Sequence, residues 1–309
     1  MQRPLTATQI RDVNIRYHNL AAAGYDAKWG IDFGSTSRSQ VLRKVARLVN
    51  PLPASGFGRA LEIGAGTGYF GLNLLAHGAV SELTCSDISP RMVAVLSHNA
   101  TAHDLHVSAV CADAAALPFD DGSFDVILGH AVLHHLPELP RSFAEFWRVL
   151  APGGRIIFAG EPSRIGDRLA QAPKRAAALV APFWRRVLGA RAAAVDSRLD
   201  NDLEWSVDAH TFAPGELRRL ALGAGFSDVR VAGEELLANW FGWFNRSLER
   251  TADPQDVPSW WRQYAFHGYL WLQQFDGRLL EPRAPAALFY NLLLTAVKPA
   301  PDQRARSVS

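Results

Sequence analysis

The chain has 309 residues, enough for one large domain with insertions or for two domains. An apolar share of 48%, a charged share of 20% and a net charge of +2 are ordinary for a folded globular protein, and too balanced to point to a nucleic-acid partner. Two cysteines, Cys85 and Cys111, exclude a disulfide framework or a zinc knuckle and fit a reducing, cytoplasmic setting, while the N-terminus carries no signal-type apolar core and no stretch reaches the roughly 18 residues of a membrane span.

Residues 8–50 place apolar side chains at mixed three- and four-residue spacing, which predicts helix, and "PLPASGFG" (51–58) reads as a linker. Short apolar runs then alternate with helical stretches. Strands are expected at 59–64, 82–87, 107–113, 124–130 and 152–161. The first intervening helix stops on Gly78, and the second opens on Ser89 as N-cap with Pro90 behind it. This alternation predicts an α/β fold with a parallel sheet covered by helices on both faces. Beyond 161 the pattern loosens into a basic helical stretch at 164–195. A helix and a strand at 228–233 follow, then a Trp-rich interruption at 234–285 and a closing strand within 287–299. Residues 300–309 are polar and expected to be disordered.

The first βα turn reads Gly64-Ala65-Gly66-Thr67-Gly68 behind an acid, Glu62. In an open parallel sheet this turn lies where backbone approaches a ligand. A dinucleotide fingerprint would need a small residue where Tyr69 stands, and a phosphate loop would need a Lys that is absent, so both are disfavoured. Asp87 and Asp113 end the next two strands. Asp87 is spaced to accept from ribose hydroxyls and Asp113 from an exocyclic amine of a base, although strand-end aspartates also serve as plain helix caps or turn formers.

"LEIGAGTGYF", "CSDISPRMV", "CADAAALPFDDGSFDVILGHAVLHHL" and "RVLAPGGRIIF" together resemble, in order, the motifs of class I S-adenosylmethionine-dependent methyltransferases over about residues 56–161. The resemblance implies a Rossmann-like, seven-stranded, mostly parallel sheet in the order 3-2-1-4-5-7-6, with the seventh strand antiparallel. It implies that Glu62, Gly64, Ala65, Gly66 and Gly68 hold the methionine end of S-adenosylmethionine, Asp87 its ribose, and Asp113 with Ala114 its adenine. Ile88 and Met92 would pack on that adenine, and His130 and Ala131 would lie beside the sulfonium. "AGYDAKWG" resembles the N-terminal element that closes over the cofactor in small-molecule branches, which puts Tyr25 near the methionine and makes 1–55 a helical lid. The core is then 56–233 with 286–299, interrupted by a basic insertion at 164–212, and 234–285 is a helical cap.

The "HAVLHHLPE" segment offers His134 and His135 as general bases, His135 being preferred, or as groups that merely close the turn. No metal is expected. Glu161 either faces the substrate or caps the segment after it. In the basic insertion Arg164, Arg168, Lys174, Arg175, Arg185, Arg186 and Arg191 oppose only Asp167. That pattern is either a solvated face or, across 164–191, an attraction to a membrane surface or an acidic substrate. Trp240, Trp243 and Tyr264 lie on helical stripes that serve as core or as pocket wall. The expected activity is methyl transfer to a small, largely apolar acceptor. Alternatives are a protein or lipid acceptor, or a cofactor-binding regulator without turnover. The sequence is silent on oligomeric state.

Overall fold

Strand β1 (Arg59–Ile63) buries its last four residues, including Glu62, and is an inner strand of the sheet. The computed structural model describes residues 6–26, 30–193 and 210–301. Before β1 come helices α1 (Ala7–Ala21) and α2 (Ser35–Leu48). After it follow α3 (Tyr69–Ala76), β2 (Glu82–Asp87), α4 (Pro90–Ala102), β3 (Ser108–Cys111), β4 (Phe124–His130), α5 (Leu139–Val149) and β5 (Leu150–Pro162). The second half adds α6 (Arg164–Leu188), α7 (Pro214–Gly223), β6 (Ser227–Glu234), α8 (Leu237–Glu249), α9 (Ser259–Phe275) and β7 (Asn291–Val297).

The seven strands form one sheet in the order β3-β2-β1-β4-β5-β7-β6, with β7 antiparallel to both neighbours, as expected. Strand order reverses between β1 and β4, so the crevice beyond their carboxyl ends is the place where such a sheet binds ligands. Alternation along the strands feeds two cores. Leu61, Ile63, Ile156, Phe158, Leu292 and Leu294 pack against α5 and α7. Ala60, Leu128, Ile157, Ala159 and Leu293 face the opposite way, against α2, α3 and α4. Each fully buried Leu, Ile or Phe contributes about 1.5–3 kcal/mol to holding helix against sheet.

Several element limits differ from the sequence reading. The helix expected over 164–195 ends at Leu188, because Gly189 takes a left-handed conformation (φ +66°) and caps it. Among the described residues, 8–50 hold the helices α1 and α2, with a short 3-10 turn at Ala22–Gly24 following the first. Cys85 is buried in the core, but Cys111 is exposed, because β3 is an edge strand. Residues 302–309 of the expected disordered tail, 194–209 of the basic insertion and 27–29 of the lid motif lie outside the described residues.

Between β6 and β7, α8 and α9 pack together, and α8 also packs on α6. Ala177, Ala181 and Trp184 of α6 join Leu248, Ala252 and Val257 in a separate small core there.

Candidate active site

The glycine turn after β1 is fixed by backbone stereochemistry. Gly64, Gly66 and Gly68 all adopt positive φ (+58°, +55°, +97°), where a side chain is strained. At Gly64 a Cβ would also come within 2.3 Å of Val132 Cγ2, so this turn must stay bare to fit beneath the loop after β4. Asp87 closes the turn from β2: its Oδ2 accepts the Gly66 N–H at 2.8 Å and its Oδ1 the Ser89 N–H at 2.8 Å.

One cavity of about 790 Å³ opens above this turn. Glu62, Gly64, Ala65, Gly66, Asp87, Ile88, Asp113, Ala114, His130 and Ala131 all border it, as does Tyr25. Gly68 and Met92 do not. Gly68 is drawn into the start of α3, with Leu72 beneath it, and Met92, in the first turn of α4, is fully buried. From the other side α1 covers the cavity with Arg11, Asn14 and His18. Arg11 Nε lies 2.7 Å from Asp113 Oδ2, and Asn19 of the same helix accepts the Ser89 hydroxyl at 2.8 Å.

Burial dominates the electrostatics. It pushes the Glu62 carboxyl up to about 8, against the Gly71 N–H and the Cys85 thiol that it faces. It also raises Asp87 and lowers His18, although the charge of each pulls the other back. His130 falls to about 3, through burial first and then through Lys44 and His134, so its ring is uncharged at any ordinary pH. Lys44 is buried, yet the charges of Glu234 and Glu235 outweigh burial and hold it protonated. Glu235 also accepts from Tyr269 Oη at 2.7 Å and from Gln273 Nε2, which ties the end of β6 to α9.

The loop after β4 is organised by Glu161, which is fully buried. Its Oε1 accepts the N–H groups of Val132 and Leu133, both at 2.9 Å. Its Oε2 accepts the His134 N–H at 3.1 Å and meets His134 Nδ1 at 2.9 Å. Glu161 therefore does not border the cavity, and acts from behind through the turn Leu133–His135. Since Nδ1 meets a carboxylate oxygen, which accepts, Nδ1 is assigned the proton and in the neutral ring the lone pair falls on Nε2. His134 borders the cavity, and so does His135. Their rings stand 4.0 Å apart, and His135 makes an edge contact with His18. Next to them Ala131, a non-glycine residue at φ +53°, is held by its N–H to Ala159 O at 2.7 Å. Such strain costs about 1–2 kcal/mol and accumulates at functional sites.

At its far end the cavity meets the cap. Trp243 borders it, with Lys174 Nζ 3.9 Å from its ring centroid and Tyr290 edge-on at 5.5 Å. Trp240 and Tyr264 do not border it: they share helices with wall residues, but on other faces. Asn239, Asn245, Arg246, Arg262 and Gln273 stand beside Trp243, Phe266 and Tyr269, because α8 and α9 turn mixed faces inward. Sequence reasoning missed Arg11, Asn14 and His18, which recur at helical spacing on one face of α1. It also missed Glu235, a strand-end acid like Asp87 and Asp113 that could have been sought by the same rule. Lys44 and Tyr269 gave no local signal.

Residues 61–158 match the methyltransferase domain family. Over 172 residues the chain is 33% identical to a demethylmenaquinone methyltransferase of Thermus thermophilus, covering 55% of this chain and 74% of that protein. A malonyl-[acyl-carrier protein] O-methyltransferase of Methylococcus capsulatus is 32% identical over 71% of this chain and 72% of its own length. Among solved structures the fold is similar to phosphoethanolamine N-methyltransferase 2 of Haemonchus contortus bound to S-adenosylhomocysteine. The TM-score is 0.58 at 16% identity, covering 97% of this chain and 61% of that chain, so the present chain spans about three fifths of it. The [4+2]-cyclase SpnF is similar at TM-score 0.57 and 19% identity, over 96% of this chain and 98% of its own. These structural likenesses concern the fold alone.

Proposed function

We propose, for a chain that belongs to the class I S-adenosylmethionine-dependent methyltransferases, that the acceptor is a small amphipathic molecule bound between the Leu133–His135 turn and the cap helices. The observation that carries this reading is the single cavity running from the acids of the glycine turn to Trp243. It is large enough for a nucleoside-sized cofactor and a second molecule end to end.

The crevice suits the cofactor. S-adenosylmethionine offers donors at its amine, ribose and adenine, and the wall offers three acids, Glu62, Asp87 and Asp113. Thr67 Oγ1 and Asn14 Oδ1 border the same space and have no hydrogen-bond partner. A Cβ on Gly66 would meet nothing within 4 Å, so bare backbone faces the crevice there. On this reading Glu62, Gly64, Ala65, Gly66 and Tyr25 hold the methionine end and Asp87 the ribose. Asp113, Ala114 and Ile88 hold the adenine, and His130 with Ala131 flanks the sulfur. When bound, the cofactor supplies a methyl group already activated by a positive sulfur. An uncharged His130 beside that position is compatible with a cation, which a protonated imidazole would repel.

The protein's own contribution is positioning, exclusion of water and proton management. His134 replaces His135 as the preferred base, because Glu161 fixes its tautomer and turns Nε2 into the accepting atom. Taking the acceptor's proton at that nitrogen contributes a factor of about 10²–10⁴. Glu161 orients the ring and stabilises the imidazolium that forms. Trp243, Phe266 and Tyr269 supply apolar contact for the acceptor's body, and Asn239, Asn245 and Gln273 supply polar ends. The relatives named above act on a quinone precursor and on a carrier-bound malonyl group, both of which suit a mixed wall. Incubation with methyl-tritiated S-adenosylmethionine and fractionated cell extract tests the reading. Label is expected in a low-mass organic fraction. Label confined to macromolecules, with cofactor binding intact, would refute the small acceptor.

A further inference from the structure

Helix α6 carries a second feature that catalysis does not use. Its inner face packs Ala170, Ala177, Ala181 and Trp184 against the protein. Its outer face leaves Leu179, Phe183 and Val187 exposed, at 83%, 73% and 67%. Four-residue spacing puts these three on one stripe, and Ala172 and Ala176 continue it toward the N-terminus. Scattered exposed apolar residues need no explanation, but an aligned stripe of this kind does.

The charges on the helix divide in two. Arg164 pairs with Glu216, Lys174 sits over Trp243, Arg185 donates to Thr251 O, and Arg191, just past the helix end, pairs with Asp253 and Asp256. Those cations serve the fold. Arg168, Arg175 and Arg186 are exposed, and by helical spacing they line one flank of the apolar stripe.

Helix α9 presents a second exposed stripe. Trp260, Tyr264 and Trp271 are each more than half exposed and recur at spacings of four and seven. Trp261, which follows Trp260, meets Trp184 of α6 with ring centroids 5.1 Å apart, so the two helices are joined at this point. Phe266, half exposed on the same helix, and Arg262 border the cavity.

We infer that α6 and α9 form a docking surface for an anionic lipid bilayer, on which the protein lies with its cavity near the lipid. Apolar side chains flanked by arginines, beside aromatic rings with polar edges, match the chemistry of a negatively charged headgroup layer. A soluble acidic partner would account for the arginines but not for Leu179, Phe183, Val187 and the exposed tryptophans. Among the described residues no helix is long and apolar enough to cross a membrane, so the association is with the surface. The inference does not rest on the identity of the acceptor, and its test reads binding, not turnover.

The test is co-sedimentation of the full chain with vesicles of phosphatidylcholine containing roughly one third phosphatidylglycerol, and with phosphatidylcholine alone. Binding to the anionic vesicles is expected, weakening as salt is raised. The pair Leu179→Glu and Phe183→Glu should lower the bound fraction at least about tenfold. The pair Arg175→Glu and Arg186→Glu should abolish the preference for anionic over neutral vesicles. Replacing Trp260 and Trp271 by Ala should weaken binding several-fold. All these side chains are exposed and outside the cavity wall, so thermal unfolding and cofactor affinity should match the parent and show that the variants are folded. Failure of the parent to bind anionic vesicles, or equal binding by the Leu179→Glu, Phe183→Glu pair, would overturn the proposal. So would a concentration-dependent dimer dispersed by that pair, or capture by an acidic soluble protein with no vesicle binding. Those results would assign the surface to a second copy or to a protein partner.

Discussion

The two ends of the cavity are built in different ways. The end at the glycine turn rests on inner strands of the sheet: Asp87 closes β2 and His130 closes β4 level with Gly64, and Glu62 lies one residue before the end of β1. Its geometry follows from strand pairing and a turn that admits no side chains. The end at the cap is assembled from α8 and α9, inserted between β6 and β7, with Lys174 of α6 reaching in over Trp243. Here the wall residues contributed by α8 and α9 owe their proximity to helix packing, not to strand register. The first arrangement suits a ligand that is always the same. The second can be changed by altering helix faces without disturbing the sheet, and so suits the variable partner of the reaction.

The comparison implies that damage should separate cleanly along the cavity. The largest effect is expected where the two ends meet. His134→Ala should lower kcat by about a hundredfold or more, and His135→Ala by less than about tenfold, each with cofactor affinity unchanged. Single-turnover rates with an identified acceptor measure this, and equal losses in the two variants would remove the His134–Glu161 pair from the mechanism. At the turn, Asp87→Ala should weaken S-adenosylmethionine binding by about 1–3 kcal/mol, read by calorimetry, because ribose hydroxyls and the Gly66 N–H lose their acceptor. Acceptor KM should barely move. At the cap, Trp243→Ala should do the reverse and raise acceptor KM by about tenfold, with cofactor affinity held within about threefold. A matching loss of cofactor affinity would show that the two ends are not separable.

The smallest effect sharpens the comparison through pH. Burial lifts Glu62 to about 8. The unfolded chain releases this proton near pH 4.5 and the folded chain only near 8. Glu62 therefore destabilises the fold progressively as pH rises between those values, by at most about 1.4 kcal/mol per unit. A cationic ligand group beside Glu62 favours its ionised form, so binding releases a proton. Cofactor affinity should rise several-fold per unit from pH 6 to 8, and calorimetry in buffers of different ionisation enthalpy should detect the released proton. Affinity that is flat over this range would place the cofactor's charge away from Glu62. His130, already neutral, adds nothing in this window.

Legibility in the sequence followed the same division. Positive φ at Gly64, Gly66 and Gly68 excludes side chains wherever the rest of the chain goes, so three glycines after an apolar run mark a turn by themselves. Asp87 follows because a strand of fixed rise brings its last residue level with that turn. The β-α alternation likewise dictates a parallel sheet, since a parallel connection needs a helix-length crossover. These are local rules, and local sequence obeys them. The cap obeys none of them. Trp240, Trp243 and Tyr264 are alike in type and spacing, yet only Trp243 borders the cavity, because the rotation of α8 and α9 is set by their packing on each other and on α6. Glu161 offered two readings in the sequence, and it took the fold to bring its carboxylate under three backbone N–H groups 27 to 29 residues away. The choice of His134 over His135 arose from that same contact, since adjacent histidines are distinguished only by which ring nitrogen reaches a partner. What the sequence determined by itself was whatever depends on backbone stereochemistry and strand periodicity. What the tertiary structure decided was whatever depends on how independently folded helices turn their faces, which is a property of long-range packing that no short window of residues contains.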